Sequence, residues 1–178
     1  MRDVGTEAIP GASLDFRELC REWRPRAAAY CRVFRGLSDQ DREDVVGEAL
    51  ARAWAARGRF DPSRPFAPWF LTIVRRTALD ALGRPGRRPS PEYIDEVPSP
   101  APGAEEAAVR DSEAAFVRRF VGTLDPRDRE LSSLVYGQGL SVSDAARTIG
   151  IPGGTAKWRL YQIRIALRRE WERDYGGS

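Results

Sequence analysis

The sequence predicts an all-α protein of two small helical domains joined by a flexible linker. Apolar residues recur at helical spacing through most of the chain, and no run alternates between apolar and polar residues as a half-buried strand does. A stretch rich in Pro, Gly and Ser interrupts this pattern at residues 84–107, and such a loop is unusual inside one compact domain. The predicted organisation is a loose tail at 1–13, a first domain at 14–88, a linker at 89–108 and a second domain at 109–175.

Composition argues against an enzyme. Histidine is absent, which removes the commonest general base and metal ligand, and no glycine-rich phosphate loop is visible. We interpret Cys20 and Cys31 as small buried apolar residues. A redox pair is the alternative, and it is disfavoured because three helical turns hold the two sulfurs too far apart to bond. The sequence therefore predicts no catalytic residue, no metal site and no cofactor.

The ends and the hydropathy of the chain bear on its location. No stretch approaches the roughly twenty apolar residues of a membrane span, so we expect no membrane insertion. The N-terminal residues 1–13 have neither an apolar core nor a cleavage pattern, which excludes a secretory signal. We expect a cytoplasmic protein.

The first domain contains three predicted helices. The first runs from Leu14 to Phe34, and Pro25 is expected to kink or divide it. Ser38 is a plausible N-cap for the second helix, which has acidic residues on its outer face. A proline-rich loop at 59–68 precedes the third helix, which ends at Gly83. The apolar stripe predicted for the second helix consists of Val46, Leu50, Ala53 and Trp54.

The second domain opens with an amphipathic helix and a strong helix start. Phe116 and Phe120 lie one turn apart on the amphipathic helix. Asp125 as N-cap and Pro126 at the first helical position then begin the next helix. The domain ends in a segment with a more specific pattern.

Residues 141–169 have the layout of a helix-turn-helix: a short capped helix, a glycine turn at Gly150 and a longer basic helix. Between Gly154 and Arg169 that second helix has five basic residues and no acid, whereas a surface helix of ordinary purpose mixes the two signs. Trp158 lies about 200° from Ala156 around the helix, so we expect its indole to point away from the core. This pattern is typical of a recognition helix that reads DNA, with a solvated basic helix as the alternative.

The same segment resembles region 4 of the sigma-70 superfamily, particularly its extracytoplasmic-function (ECF) group. The residues that carry the resemblance, 139–169, read GLSVSDAARTIGIPGGTAKWRLYQIRIALRR. Residues 41–82 resemble region 2 of the same group and read DREDVVGEALARAWAARGRFDPSRPFAPWFLTIVRRTALDAL. Together the two matches cover about residues 14–88 and 110–172, and their order and spacing make the resemblance specific.

The resemblance implies an ECF-type sigma factor that binds core RNA polymerase, recognises the promoter minus-35 and minus-10 elements and helps to open the DNA. The partners it implies are the beta and beta-prime subunits, promoter DNA and an anti-sigma factor. Polymerase docking would fall to residues of the second helix: Asp41, Asp44, Val45, Glu48 and Arg52.

The resemblance also assigns two DNA-binding sets. The minus-10 set is Arg59, Phe60, Arg64, Arg75 and Arg76, and aromatic stacking on an unpaired base would suit this role. The alternative for Phe60, and more so for Phe66, Trp69 and Phe70, is that they belong to the core. The minus-35 set is Gly154, Thr155, Lys157, Trp158, Arg159, Gln162 and Arg164.

Three positions depart from the family pattern. Arg76 stands where asparagine is common, Gly47 where glutamine is common, and Trp158 where a small polar residue is common. The competing hypothesis is an autonomous helix-turn-helix regulator that binds duplex DNA by itself. It would account for residues 110–172 and leave the first half unexplained.

Overall fold

Seven α-helices account for most of residues 15–84 and 104–176, which are the residues that the computed structural model describes. These ranges contain helices and turns and no strand, which confirms the all-α prediction. The helices are α1 (Phe16–Cys31), α2 (Asp39–Ala56), α3 (Phe66–Leu82), α4 (Ala104–Thr123), α5 (Pro126–Ser132), α6 (Val142–Ile149) and α7 (Gly153–Tyr175).

Local capping signals set where three of these helices begin. Ser38 forms a capping box with Asp41: its hydroxyl accepts from the Asp41 amide at 3.1 Å, and its own amide donates to the Asp41 carboxylate at 2.9 Å. Asp125 caps α5, with Pro126 in the first turn, and Ser141 caps α6. Each cap satisfies amides that have no partner inside the helix, so the predicted starts are confirmed.

Helices α1, α2 and α3 pack together around an aromatic and aliphatic core. The side of α2 that faces this core differs from the predicted stripe, because Trp54 is exposed and Val45 is buried. The buried positions of α2 are Val45, Val46, Ala49 and Ala53. The prediction is confirmed for Val46 and Ala53, and Leu50 is partly buried against the core. It was wrong for Trp54, because the buried face is turned by about one residue toward Val45 and Ala49.

Helix α1 is continuous through Pro25, which neither divides it nor ends it. Proline cannot donate to the carbonyl four residues earlier, at Arg21. Both Arg21 and Pro25 are exposed, so water can satisfy that carbonyl. The helix ends instead at Cys31, before a turn in which Gly36 has a positive φ of 92°.

The two halves of the chain are packed against each other. Helix α3 of the first half contacts α6 of the second, and α1 contacts the π-helical turn at Ser133–Gly137. One hydrophobic core includes residues from both halves, such as Val74 and Leu134. The sequence predicts two domains held only by a linker, and this shared core goes beyond that expectation.

The predicted tail and most of the predicted linker lie outside the described residues. Residues 104–108 are the exception, because they belong to the first part of α4. The linker is therefore shorter at its C-terminal end than its composition indicates. The acidic and alanine-rich letters of residues 104–108 are compatible with a helix.

The two cysteines should differ in reactivity. Burial raises the pKa of the Cys31 thiol to about 12, and the more accessible Cys20 has a pKa raised to a smaller extent, also by burial. Because the thiolate is the reactive form, a thiol reagent at pH 8 should modify Cys20 in the native protein and Cys31 only after denaturant is added. Equal rates for both thiols under native conditions would contradict the buried placement of Cys31.

Candidate nucleic-acid interface

The helix-turn-helix is present as predicted. Helix α6 ends at Gly150, whose φ of 74° lies in the left-handed region that favours glycine. The chain then turns through Pro152 into α7, whose inner face buries Ala156, Leu160 and Ile163. The short helix, the glycine turn and the longer helix thus form one rigid unit.

The outer face of α7 is basic and aromatic. Trp158 points away from the core with 62% of its surface exposed, which confirms the orientation expected from helical geometry. Lys157 and Arg164 are exposed, and neither forms an ion pair with any other side chain in the described part of the chain. The predicted minus-35 residues that the structure places together on this exposed surface are Gly154, Thr155, Lys157, Trp158, Gln162 and Arg164.

Arg159 differs from the other predicted minus-35 residues. Its Nη1 donates to Asp128 at 2.7 Å and to Asp125 at 3.2 Å, and its side chain is only 24% exposed. The hydrogen bond to Asp128 raises the pKa of the guanidinium. Arg159 therefore fixes α7 to the start of α5, and its Nη1 group is occupied by this structural contact.

An aromatic cluster that the sequence analysis missed anchors the far end of α7. Phe116 of α4 packs edge-on against Trp171 and Tyr175, with ring centroids 5.1 and 5.7 Å apart. Arg119 also forms an ion pair with Asp174. The spacing of Trp171 and Tyr175 by four residues was an available signal, since such pairs share a helix face.

The predicted polymerase-docking set divides into surface and core residues. Asp44 is exposed, and its carboxylate accepts from Gln40 at 3.1 Å. Glu48 and Arg52 pair with each other at 2.6 Å. Val45 is only 2% exposed and faces the core, so its assignment to a docking surface was wrong. Asp41 is half-buried, because it closes the capping box with Ser38.

The network around Glu48 extends to α3. Glu48 forms a second ion pair, with Arg84 at 3.1 Å, and Arg52 forms one with Asp80 at 2.9 Å. These four residues tie α2 to the end of α3 on the surface. Exposed pairs of this kind contribute little to stability, but they set the arrangement of charge on this side of the first half.

The proline-rich loop contributes to an aromatic cluster. Phe66 is buried, and its ring centroid lies 5.5 Å from that of Phe60 and 5.6 Å from that of Trp69. Phe70 is fully buried, which confirms the core alternative for Phe66 and Phe70. Phe60 is half-buried in the same cluster, so one face of its ring is already occupied.

The arginines of the predicted minus-10 set have different environments. Arg59, Arg64 and Arg76 are exposed, and Arg64 pairs locally with Asp61 at 3.3 Å. Arg75 instead donates from Nε to Glu130 of the second half at 2.7 Å, and its side chain is 24% exposed. The structure thus brings three arginines to the surface and places the fourth at the contact between the halves.

Glu130 is a buried carboxylate that the sequence analysis did not single out. Its Oε1 accepts from the Tyr30 hydroxyl at 2.6 Å and from Arg75 at 2.7 Å. Burial, followed by the nearby Glu130 charge, raises the pKa of the Tyr30 phenol well above its usual value. Next to Glu130, Arg129 donates to three carbonyls at the end of α4, among them Leu124 at 2.8 Å.

Other classes of site find no support among the described side chains. No group of three or more potential metal-ligating residues occurs among them. None of the helices is sufficiently long and apolar to span a bilayer. Among the described residues, the outer side of α7 is basic and aromatic, and the outer side of α2 has the exposed Asp44 and the Glu48–Arg52 pair.

Comparison with known proteins agrees with this geometry. Residues 19–88 match the family model for sigma-70 region 2. The ECF RNA polymerase sigma factor RpoE of Cereibacter sphaeroides is 30% identical over 155 residues, which cover 86% of this chain and 83% of that protein. RNA polymerase sigma factor CnrH of Cupriavidus metallidurans is 28% identical over 176 residues, with coverage of 93% and 91%.

Solved structures show the same fold. The structure of CnrH in complex with the cytosolic domain of CnrY has a TM-score of 0.61 at 25% identity and covers 94% of both chains. Sigma factor RpoE of Bartonella quintana, solved in complex with the anti-sigma factor NepR, has a TM-score of 0.70 at 22% identity, covering 89% of this chain and 97% of that one. The class defined by fold and site is the sigma-70 superfamily. Within it, the chain belongs to the ECF RNA polymerase sigma factors, which act in transcription initiation.

The two basic residues on either side of Trp158 should behave differently when truncated. Arg159→Ala removes the contact with Asp125 and Asp128, so we expect the free energy of unfolding to fall by about 1 kcal/mol. Lys157→Ala is the matched control and should change it by less than about 0.5 kcal/mol. Denaturant titration measures both values, and equal losses would show that Arg159 does not fix α7 to α5.

Proposed function

We propose that this sigma factor binds core RNA polymerase, recognises minus-35 and minus-10 promoter elements and helps to open the DNA, without catalytic activity of its own. The polymerase and its template place this activity in the cytoplasm. The observation that carries the proposal is the exposed basic and aromatic face of α7 in a chain whose first half matches sigma-70 region 2. An isolated helix-turn-helix regulator would not need that first half.

Helix α7 is the proposed reader of the minus-35 element. At its start Gly154, Thr155, Lys157 and Trp158 are exposed, whereas Ala156 faces the core. The N-terminal residues of a recognition helix are those that reach base edges. Lys157 and Arg164 are positioned to neutralise phosphates. The Trp158 indole can contact a thymine methyl or cover a sugar-phosphate edge, and a protein partner is the alternative for it.

Helix α2 is the proposed docking surface for core polymerase. Asp44 supplies an accessible negative charge, and Glu48 with Arg52 forms a charged pair one turn further along. The core polymerase surface would be basic and would engage Asp44 most directly. Val45 lies in the core beneath this surface and would not contact the polymerase itself.

The minus-10 element is proposed to meet the loop after α2 and the outer face of α3. Arg59, Arg64 and Arg76 are exposed there and can follow the phosphate backbone. The free face of Phe60 can stack on an unpaired base. Arg75 could join them only after it is released from Glu130.

An anti-sigma factor is a further proposed partner. The similar sigma factor RpoE has been solved in complex with the anti-sigma factor NepR, and CnrH has been solved in complex with the cytosolic domain of CnrY. Exposed aromatic side chains in the second half, including Trp158 and Tyr136, offer apolar surface to a protein partner.

The proposal as a whole is tested by copurification with core polymerase, followed by a promoter-opening assay. We expect a stable complex and open-complex formation that depends on the sigma factor. Tight sequence-specific binding to duplex promoter DNA by the free protein, together with no binding to core enzyme, would favour the autonomous-regulator hypothesis instead.

Charge reversal on α2 tests the docking surface. Asp44→Arg should weaken association with core polymerase by about tenfold, equivalent to about 1.4 kcal/mol, because it places a cation against a basic partner. Glu113→Arg, at an exposed position of α4, is the matched control and should bind as the unaltered protein does. An unchanged affinity of the Asp44 variant, with helicity intact by circular dichroism, would remove α2 from the interface.

Truncation of the indole tests the reading face of α7. Trp158→Ser should lower affinity for the minus-35 element by about 1–3 kcal/mol and leave the melting temperature nearly unchanged, because the side chain is exposed. Tyr136→Ser removes another exposed aromatic residue of the second half and should leave the upstream footprint unaltered. If Trp158→Ser changes neither DNA affinity nor melting temperature, the indole serves a protein partner.

A further inference from the structure

The contact between the halves depends on charges that are otherwise costly to bury. Glu130 of the second half is 6% exposed, and its carboxylate is compensated by Tyr30 of α1 and Arg75 of α3. Both of these partners belong to the first half. A second bond nearby joins Arg35 Nη2 to the Gly122 carbonyl at 2.5 Å. Because a buried carboxylate needs such partners, Glu130 favours the packed arrangement.

The packed arrangement engages one residue of the proposed minus-10 surface, Arg75, and leaves the proposed minus-35 surface open. Arg75 is engaged by Glu130, and α6 lies against α3, the helix that carries Arg75 and Arg76. Lys157, Trp158 and Arg164 of α7 remain exposed. Closure therefore restricts the proposed minus-10 surface and leaves the proposed minus-35 surface accessible.

The packed chain is too small to contact both promoter elements at the same time. A compact chain of 178 residues has a radius of gyration of about 16 Å, so it is roughly 40 Å across. Elements about 25 base pairs apart lie roughly 85 Å apart along straight B-DNA at 3.4 Å per base pair. Joint recognition thus requires the halves to separate.

The seam between the halves is incompletely filled, which makes separation feasible. A groove of about 600 Å³ lies beside the Glu130 contact, and it is wide enough to hold water next to that contact. Its lining comes from both halves and includes Val33, Leu79, Leu82, Pro126 and Arg127. When the halves part, Glu130 and Arg75 regain water, so separation leaves neither charge buried without a partner.

We propose that Glu130 acts as an intramolecular latch, which holds the free protein in a closed state by binding Tyr30 and Arg75. What the closed state prevents rests on the proposed function: Arg75 is withheld from the minus-10 element, and the halves cannot span a promoter. Core polymerase opens the latch by binding the halves at separate positions. The free protein is thereby kept from engaging promoters without the enzyme.

Small-angle scattering of the free protein tests the latch without polymerase or DNA. Glu130→Lys places a cation against Arg75, and we expect the radius of gyration to rise from about 16 Å to above about 20 Å as the halves separate. The double variant Arg75→Glu with Glu130→Lys restores the pair with reversed charges and should return to the compact value. Glu113→Lys makes the same charge change at an exposed site and should remain compact.

Two results would overturn the latch. One is an unaltered protein that is already extended, and the other is a Glu130→Lys variant that stays compact with full helicity. If Glu130→Lys loses helicity, Tyr30→Phe decides the question, because it removes one hydroxyl from the contact and retains the ring. A partial rise in the radius of gyration of Tyr30→Phe supports the latch, and no change refutes it.

Binding to core polymerase separates failure of the latch from failure of the proposed function. If nine molecules in ten are closed, opening the latch raises apparent affinity about tenfold, so Glu130→Lys should bind core enzyme more tightly than Glu113→Lys. A variant that opens by scattering while no form binds core enzyme refutes the proposed function and leaves the latch intact. Core binding by the unaltered protein with no opening of Glu130→Lys refutes the latch alone.

Discussion

The buried carboxylate of Glu130 joins the two halves of this protein through hydrogen bonds. A charge removed from water requires hydrogen bonds, and Glu130 finds them on α1 and α3, at Tyr30 and Arg75. Helix α5, which carries Glu130, is thereby fixed to the first half. At its other end α5 presents Asp125 and Asp128 to Arg159 of α7. Polar contacts thus run from the first half through α5 to the recognition helix.

This arrangement makes α5 the link between the first half of the protein and α7. The helix has only seven residues, which is too short to be stable in isolation. Its conformation depends on the Asp125 cap, on Leu131 in the core and on the contacts at both ends. Loss of the contact at Glu130 would therefore destabilise α5 before the other helices.

Features encoded by neighbouring residues were predictable from the sequence. Each helix cap and the glycine turn depend on a few adjacent residues, so the amino-acid sequence alone was sufficient to place them. They are the caps at Ser38, Asp125 and Ser141 and the turn at Gly150. The outward orientation of Trp158 follows from helical geometry in the same way. The membership of the ECF sigma factors was also foreseen from the order and spacing of two motifs.

Pairings between distant residues were not predictable. Arg159 was expected on the DNA-binding face, but its partner Asp128 lies 31 positions away. Arg75 was assigned to the minus-10 set, and its partner Glu130 is 55 positions away. Charge and periodicity identify a basic residue on a helix without showing which acid it meets after folding. The error at Val45 has another origin, since the buried arc of α2 is set by packing against α1 and α3.

The inner and outer faces of α7 differ in how much they contribute to stability. Its inner residues Ala156, Leu160 and Ile163 and the fixed Arg159 hold the helix in place, whereas Trp158 and Gln162 contribute little to the fold. Substitutions on the outer face can therefore accumulate without loss of the native state. Stability alone therefore places little constraint on which residue stands at position 158.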